Sequence, residues 1–349
     1  MKTAELKLDL FEMLTRLFIT LAPWVRRTSL MAAMVLFLFA LIPGGVQATW
    51  NLSVDGDARY RLTEWEEHDA DIHLVGASVR KTFSDNKGDR LILFGLVEAE
   101  DNFSDVMLHE VYGQYKGPMG AWNITAGRFG LPWGLLPGFS ASRLLYDMPH
   151  GAVLGMNVDN GFMLSGVNGP LDYAASITQG YGPRGTPDDL NLSLGTARIG
   201  FTPGDTEEFS IGVSAAVGKS IRVHAADPNG DADMNMDKDS ALQRAVGGLD
   251  ATLYLGRWLG RVELSAGRVD HRSMTAGFAA MDYALLPRFD LNFAANLVWH
   301  GSEFKDEWFA GFTGKPPWFT IRGGYRYAGN SPSHHEVIFQ LYRLFSYNL

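Results

Sequence analysis

Cysteine is missing from all 349 residues. Disulfides, thiolate metal sites and covalent c-type haem attachment by this chain are therefore excluded. Long apolar runs are missing after residue 48, where no stretch reaches the roughly 18–20 apolar residues of a membrane-spanning helix. Basic residues are in deficit, with 30 Lys and Arg against 39 Asp and Glu. That balance argues against nucleic acid as a partner. Chemistry-bearing motifs are scarce as well: there is no P-loop, HExxH zinc motif, serine elbow or glycosidase-like carboxylate pair. No cofactor is expected, and the chain is not expected to be an enzyme.

Residues 1–48 read as a cleaved signal peptide. Arg26 and Arg27 precede an apolar run at 30–42, and Gly44, Gly45 and Val46-Gln47-Ala48 supply small residues for cleavage. An uncleaved anchor is the competing reading. Taking away the five basic and three acidic residues of this leader leaves 25 basic and 36 acidic residues at 49–349, a net charge of −11.

The remainder alternates. Trp50, Leu52, Val54, Gly56, Ala58, Tyr60 and Leu62 share one parity, and Asn51, Ser53, Asp55, Asp57, Arg59, Arg61 and Thr63 the other. A period of two held this long predicts a strand with one apolar and one polar face. It exceeds the usual five or six residues of a soluble strand and suits a tilted strand crossing a membrane. The same pattern recurs at 208–219, 258–269, 290–301 and 318–328, while 71–85, 90–101 and 274–286 alternate less cleanly. Sixteen strands are expected in all, joined by Gly/Pro/Asn/Asp-rich turns at one end and longer loops at the other. In lipid every backbone amide must be paired, so strands can cross only as a closed barrel. The expected fold is an all-β, antiparallel transmembrane β-barrel at 49–349, in the outer membrane of a Gram-negative bacterium. A periplasmic or secreted β protein is the alternative. The last strand, near 335–349, ends in alternating aromatic and apolar residues. It resembles the C-terminal strand that the barrel-assembly machinery reads in outer-membrane proteins, with Leu349 where Phe is commoner.

One stretch breaks the rhythm: RFGLPWGLLPGFSASRLLYDMPHGAVLGMNV, residues 128–158. Its apolar content argues for a segment folded against something rather than disorder. By strand count it is the third long connection, and its expected place is inside the barrel. Arg143, Asp147 and His150 would then line the narrowest point. Polar strand faces supply the rest of the channel lining: Arg59, Arg61, Arg261, Glu263, Arg322 and Arg326 are the principal candidates. Arg59, Arg61, Arg322 and Arg326 fall on the first and fifteenth strands, where barrel closure would gather them into a basic strip that attracts anions.

Three further features compete with plainer readings. The loop ADPNGDADMNMDKD at 226–239 carries oxygen donors at a density that suits Ca²⁺, with Asp227, Asp231 and Asp233 as ligands. It lacks EF-hand spacing, and a solvated acidic loop or divalent bridging to lipopolysaccharide competes. His334-His335 reads as a surface pair or a metal site. Ser140 or Ser142 with Asp147 and His150 would be the only rim catalytic group to consider.

The run Gly127-Arg128-Phe129-Gly130-Leu131-Pro132-Trp133-Gly134 resembles the strand-end segment of phosphate-selective porins of the O and P type. That resemblance implies a 16-stranded trimeric barrel with an inward-folded third external loop. Of that family's basic constriction cluster, only Arg143 has a counterpart here. The chain is also similar in outline to porins that sheath multihaem cytochromes. The function expected is passive diffusion of small charged solutes, with outer-membrane lipid, lipopolysaccharide and a homotrimer or a cytochrome as partners.

Overall fold

The computed structural model describes residues 47–64, 67–86, 88–138, 145–183, 193–204, 208–221, 241–329 and 333–348. The expected signal peptide up to Val46, together with Ser140, Ser142, Arg143, Asp227, Asp231 and Asp233, lies outside the described residues.

Among the described residues, sixteen strands form the barrel. They are β1 (Gln47–Thr63), β2 (Glu67–Asp85), β3 (Gly88–Glu100), β4 (Asp105–Lys116), β5 (Asn123–Gly130), β6 (Val158–Asn168), β7 (Leu171–Thr178) and β8 (Ser193–Phe201) in the first half. The second half holds β9 (Phe209–Ile221), β10 (Ala241–Leu255), β11 (Trp258–Val269), β12 (Arg272–Leu286), β13 (Phe289–His300), β14 (Glu303–Gly314), β15 (Thr320–Ala328) and β16 (His334–Asn348). Every strand pairs antiparallel with its neighbours in sequence, and β1 pairs with β16, so the sheet closes and has no edge. Closure matters because an open edge would leave a row of unpaired amides that hydrocarbon cannot satisfy.

The burial pattern is inverted relative to a water-soluble barrel. Val213 on β9, Ile199 on β8 and Leu264 on β11 are 57%, 61% and 60% exposed on the outer face. Asp57, Asp250 and Glu263 on the opposite parity are buried. Aromatic rings mark both ends of the outer face. Tyr115, Trp122, Phe201, Phe209, Trp258 and Tyr347 circle the short-turn end; Tyr60, Trp299, Phe304, Trp308 and Tyr325 circle the other. On β13, Phe289 and Trp299 lie ten residues apart. At about 3.4 Å per residue and a tilt of about 40°, that sets the apolar band near 25 Å, the height of an outer-membrane hydrocarbon core.

At the non-turn end the β5–β6, β7–β8 and β9–β10 connections are the long ones. The other five there have two to five residues. His334 and His335 begin β16 rather than sitting in a loop, and strand geometry sends them to opposite faces. His334 is buried, whereas His335 meets the rings of Tyr325 and Tyr327.

The inverted pattern is open to a direct check. Val213→Arg, near the middle of the apolar band, should destabilise the folded barrel in phospholipid vesicles by about 2–4 kcal/mol in reversible denaturant unfolding. An unchanged midpoint would mean that this face does not contact lipid.

Candidate functional site

The site is the barrel interior, and its dominant feature is the connection between β5 and β6. From Leu131 the chain turns onto the inner wall instead of leaving the barrel end. Leu131, Trp133, Val153, Leu154 and Met156 pack with Leu194 of β8, Ala216 of β9, Leu242 and Val246 of β10, and Met274 and Ala276 of β12. Leu135, Leu145 and Tyr146 continue the contact onto Phe278 and Ala280 of β12, Ala294 of β13, Phe309 of β14 and Ile338 of β16. Tyr146 lies 6.0 Å from the Phe278 ring and 5.5 Å from that of Phe309. All these wall residues share the inward parity of their strands. The inner wall from β8 to β14 is therefore substantially apolar where the segment covers it. Each fully buried large side chain here contributes about 1.5–3 kcal/mol of transfer free energy.

Two ionised side chains lock the segment down. Glu263 of β11 is completely buried and is the acceptor for the first half of the segment. The Trp133 indole N–H donates to Oε1 at 3.0 Å and the Leu135 amide to Oε2 at 2.9 Å. His150 Nε2 lies 3.2 Å from Oε2. The adjacent Gly134 amide donates to Ser214 Oγ at 2.9 Å. Gly134 has a left-handed φ of 45°, and a Cβ there would stand on the Glu263 carboxylate. Gly248 of β10 leaves the space that the Trp133 ring fills, since a Cβ there would fall 2.8 Å from Cζ2.

Arg244 of β10 holds the second half. A one-turn helix, α1 (His150–Leu154), ends with carbonyls that have no intrahelical partner. Arg244 Nη1 donates to the carbonyls of Ala152 at 2.9 Å and Val153 at 2.8 Å, and Nη2 to that of Ile221 at 3.1 Å. Arg244 Nε donates to Ser220 Oγ, whose hydroxyl donates to the Leu154 carbonyl at 2.8 Å.

The sequence-expected residues divide accordingly. Glu263 and His150 are buried between segment and wall rather than lining open water, because the segment lies over them. Asp147 is exposed at the segment's edge, 3.9 Å from Arg326, and its amide donates to Glu307 Oε1 at 3.3 Å. The arginines of the expected basic strip are brought together across β1, β16 and β15, and three of the four are paired with carboxylates. Arg59 binds Asp57 at 2.8 Å, Arg61 binds Asp71 at 2.8 Å, and Arg326 binds Glu336 at 2.5 Å. Arg322 donates to Gln340 Oε1 at 2.6 Å and stacks over the Tyr342 ring, while Gln340 Nε2 donates to Asp57 at 2.7 Å. Arg261 is paired with Asp282. On the wall of β1, β3 and β4, Asp55, Glu98, Glu100 and Glu110 are electrostatic neighbours. Arg244 was missed by sequence reasoning; its signal is a lone Arg between Leu242 and Val246 on one strand parity.

No protein-family model and no curated protein matches the sequence. Solved structures do. OmpT of Vibrio cholerae in its trimer form is 13% identical, with a TM-score of 0.65 over 85% of this chain and 99% of that one. The anion-selective porin from Comamonas acidovorans is 12% identical, with a TM-score of 0.61 over 86% and 100%. The outer membrane channel DcaP of Acinetobacter baumannii is 11% identical, with a TM-score of 0.57 over 88% and 99%. The chain is thus a closed 16-stranded β-barrel of the outer-membrane type. Its architecture is that of the porins.

Removing the Glu263 carboxylate should release the segment without opening the barrel. Glu263→Ala leaves two N–H donors and His150 buried without their acceptor, a loss of about 3–5 kcal/mol of docking energy. Limited proteolysis of the refolded protein should then cut within 131–157 at least tenfold faster, with the barrel still intact by electrophoretic mobility. An unchanged cleavage rate would show that apolar packing and Arg244 hold the segment without Glu263.

Proposed function

We propose that this protein is a porin: a water-filled channel in the outer membrane of a Gram-negative bacterium that passes small charged solutes by diffusion. The observation that carries the reading is the combination of a closed 16-stranded wall with a charged interior. Sixteen strands leave an aqueous lumen, and charged side chains along it select by sign. The β5–β6 segment covers one wall and narrows the passage, leaving Asp147 and Arg326 beside the open space. Docking of this segment weighs against a sheath around a multihaem cytochrome, because it takes up interior volume that such a partner would need. A cleaved leader at 1–48 is the export signal that fits this location. A homotrimer is the assembly suggested by the trimer form of OmpT.

Selectivity follows from what is paired. The arginines expected to attract anions are mostly neutralised by Asp57, Asp71, Asp282 and Glu336. The wall of β1, β3 and β4 gathers Asp55, Glu98, Glu100 and Glu110 instead. The channel is therefore cation-preferring, in line with the net charge of −11 at 49–349 and contrary to the anion preference the arginines first suggest.

Planar bilayers test both parts. Wild-type channels in a KCl gradient should give a reversal potential of cation-selective sign, and Asp55→Asn with Asp147→Asn should shift it toward zero. Deleting 136–150 should raise single-channel conductance. An anion-selective reversal potential would overturn the assignment of sign, and unchanged conductance in the deletion would place the segment outside the conducting path.

A further inference from the structure

We propose that Asp71, His73 and Asp101 form a binding site for one divalent transition-metal ion, such as Zn²⁺, where the β3–β4 turn folds onto the lumen face of β2. One ligand atom from each residue lies within 4.8 Å of the other two. The donor set of one imidazole and two carboxylates suits Zn²⁺, Ni²⁺ or Cu²⁺ better than Mg²⁺ or Ca²⁺, which prefer all-oxygen shells.

The backbone assembles this group by an irregularity. Pairing between β1 and β2 runs Asp57 with Leu74 and then Ala58 with Ile72, so His73 is an extra residue. Such a bulge re-aims side chains and is common beside functional sites. The turn after β3 closes its own hairpin, with the Ser104 amide donating to the Asp101 carbonyl at 3.1 Å, and also reaches onto the bulge. The Asp101 amide donates to the His73 carbonyl at 3.2 Å, and the Asn102 amide to the Ile72 carbonyl at 2.9 Å. Asn102 Oδ1 accepts from the Ile72 amide at 2.9 Å, fixing Asp101 beside the imidazole.

The side chains point to a missing partner. Asp71 has a side chain 5% exposed. Arg61 occupies its Oδ2 at 2.8 Å, but Oδ1 is buried with no hydrogen-bond partner. His73 Nδ1 is likewise buried without one, and its 3.7 Å distance from Asp71 Oδ2 is too long for a hydrogen bond. Two buried polar atoms left unpaired in one small group are unusual, and a bound cation is one recognised reason for them. Around Zn²⁺ bonded at about 2.0–2.1 Å, tetrahedral ligand atoms stand about 3.3 Å apart. The group therefore needs side-chain closure of up to about 1.5 Å, with water completing the shell. Arg61 keeps its oxygen of Asp71 and also reaches Asp69 at 3.7 Å, so the site stays anionic overall.

Isothermal titration of the metal-stripped, refolded protein in detergent with ZnCl₂ tests this. One Zn²⁺ should bind per chain with micromolar or tighter affinity, and a large excess of MgCl₂ should not displace it. His73→Gln and Asp101→Asn should each weaken binding at least tenfold, whereas His335→Gln should leave it unchanged. Folding of each variant is checked by electrophoretic mobility. Asp101→Asn, in the turn, keeps the test decisive if His73→Gln fails to fold. No zinc binding, retention of binding in both variants, or displacement by equimolar Mg²⁺ would overturn the site. Bilayer conductance without zinc is independent of it, so failure here leaves the channel reading intact.

Discussion

A buried carboxylate that accepts from two N–H donors and faces an imidazole is the constraint on which the interior depends. Glu263 faces the lumen, where water would ordinarily solvate it, yet the structure seals it completely under Trp133 and Leu135. Burial of an ionised carboxylate is tolerated only with full hydrogen bonding. The segment supplies that bonding from donors whose positions are set by one short stretch of backbone, so the carboxylate specifies where the segment sits as well as holding it. Apolar packing alone would fix the segment to a face. Glu263 and Arg244, about six strand positions apart across adjacent strands in the register, fix it to a place.

The same logic explains why β10 to β12 are unusual strands. A porin wall normally alternates lipid-facing apolar with lumen-facing polar residues. Here Leu242, Val246, Met274, Ala276, Phe278 and Ala280 are apolar on the lumen side too, because protein rather than water lies against them. Arg244 and Glu263 interrupt that surface only where the segment offers carbonyls or N–H groups. A lumen wall that is apolar except at two ionised contacts is a docking surface complementary to one segment.

Much of the fold was legible from residue parity. All sixteen strands lie near their expected positions, since a strand that touches lipid on one side and water on the other must alternate. What blurred the signal was physical. In β2, β3 and β4 the parity fails because His73, Arg90 and His109, respectively, are extra residues in the β1–β2, β2–β3 and β3–β4 ladders, and a one-residue insertion flips every later side chain to the other face. In β12 it fails because both faces are apolar. The place of the 128–158 segment could be inferred from its apolar content and strand count. The identity of its contacts could not. Glu263 and His150 are 113 residues apart in sequence, and nothing local to either marks the other. Arg59, Arg61, Arg322 and Arg326 were visible as a strip, but the carboxylates that neutralise them come from register across barrel closure.

That register decides how charge is presented on the inner wall. An arginine paired in a low-dielectric wall contributes a dipole to the lumen rather than a full positive charge, and the field of a dipole falls off faster with distance. The rung Arg322–Gln340–Asp57–Arg59 crosses three strands and ties two cations to one carboxylate through a neutral amide. Arg326 is similarly bound to Glu336. This side of the inner wall is therefore structured but largely compensated in charge. Across β1, β3 and β4 the electrostatic neighbours of Glu98 include three further carboxylates, so groups of like sign face one another there. The charge that each strand presents to the interior is therefore set by cross-strand pairing and not by the number of ionisable residues along it.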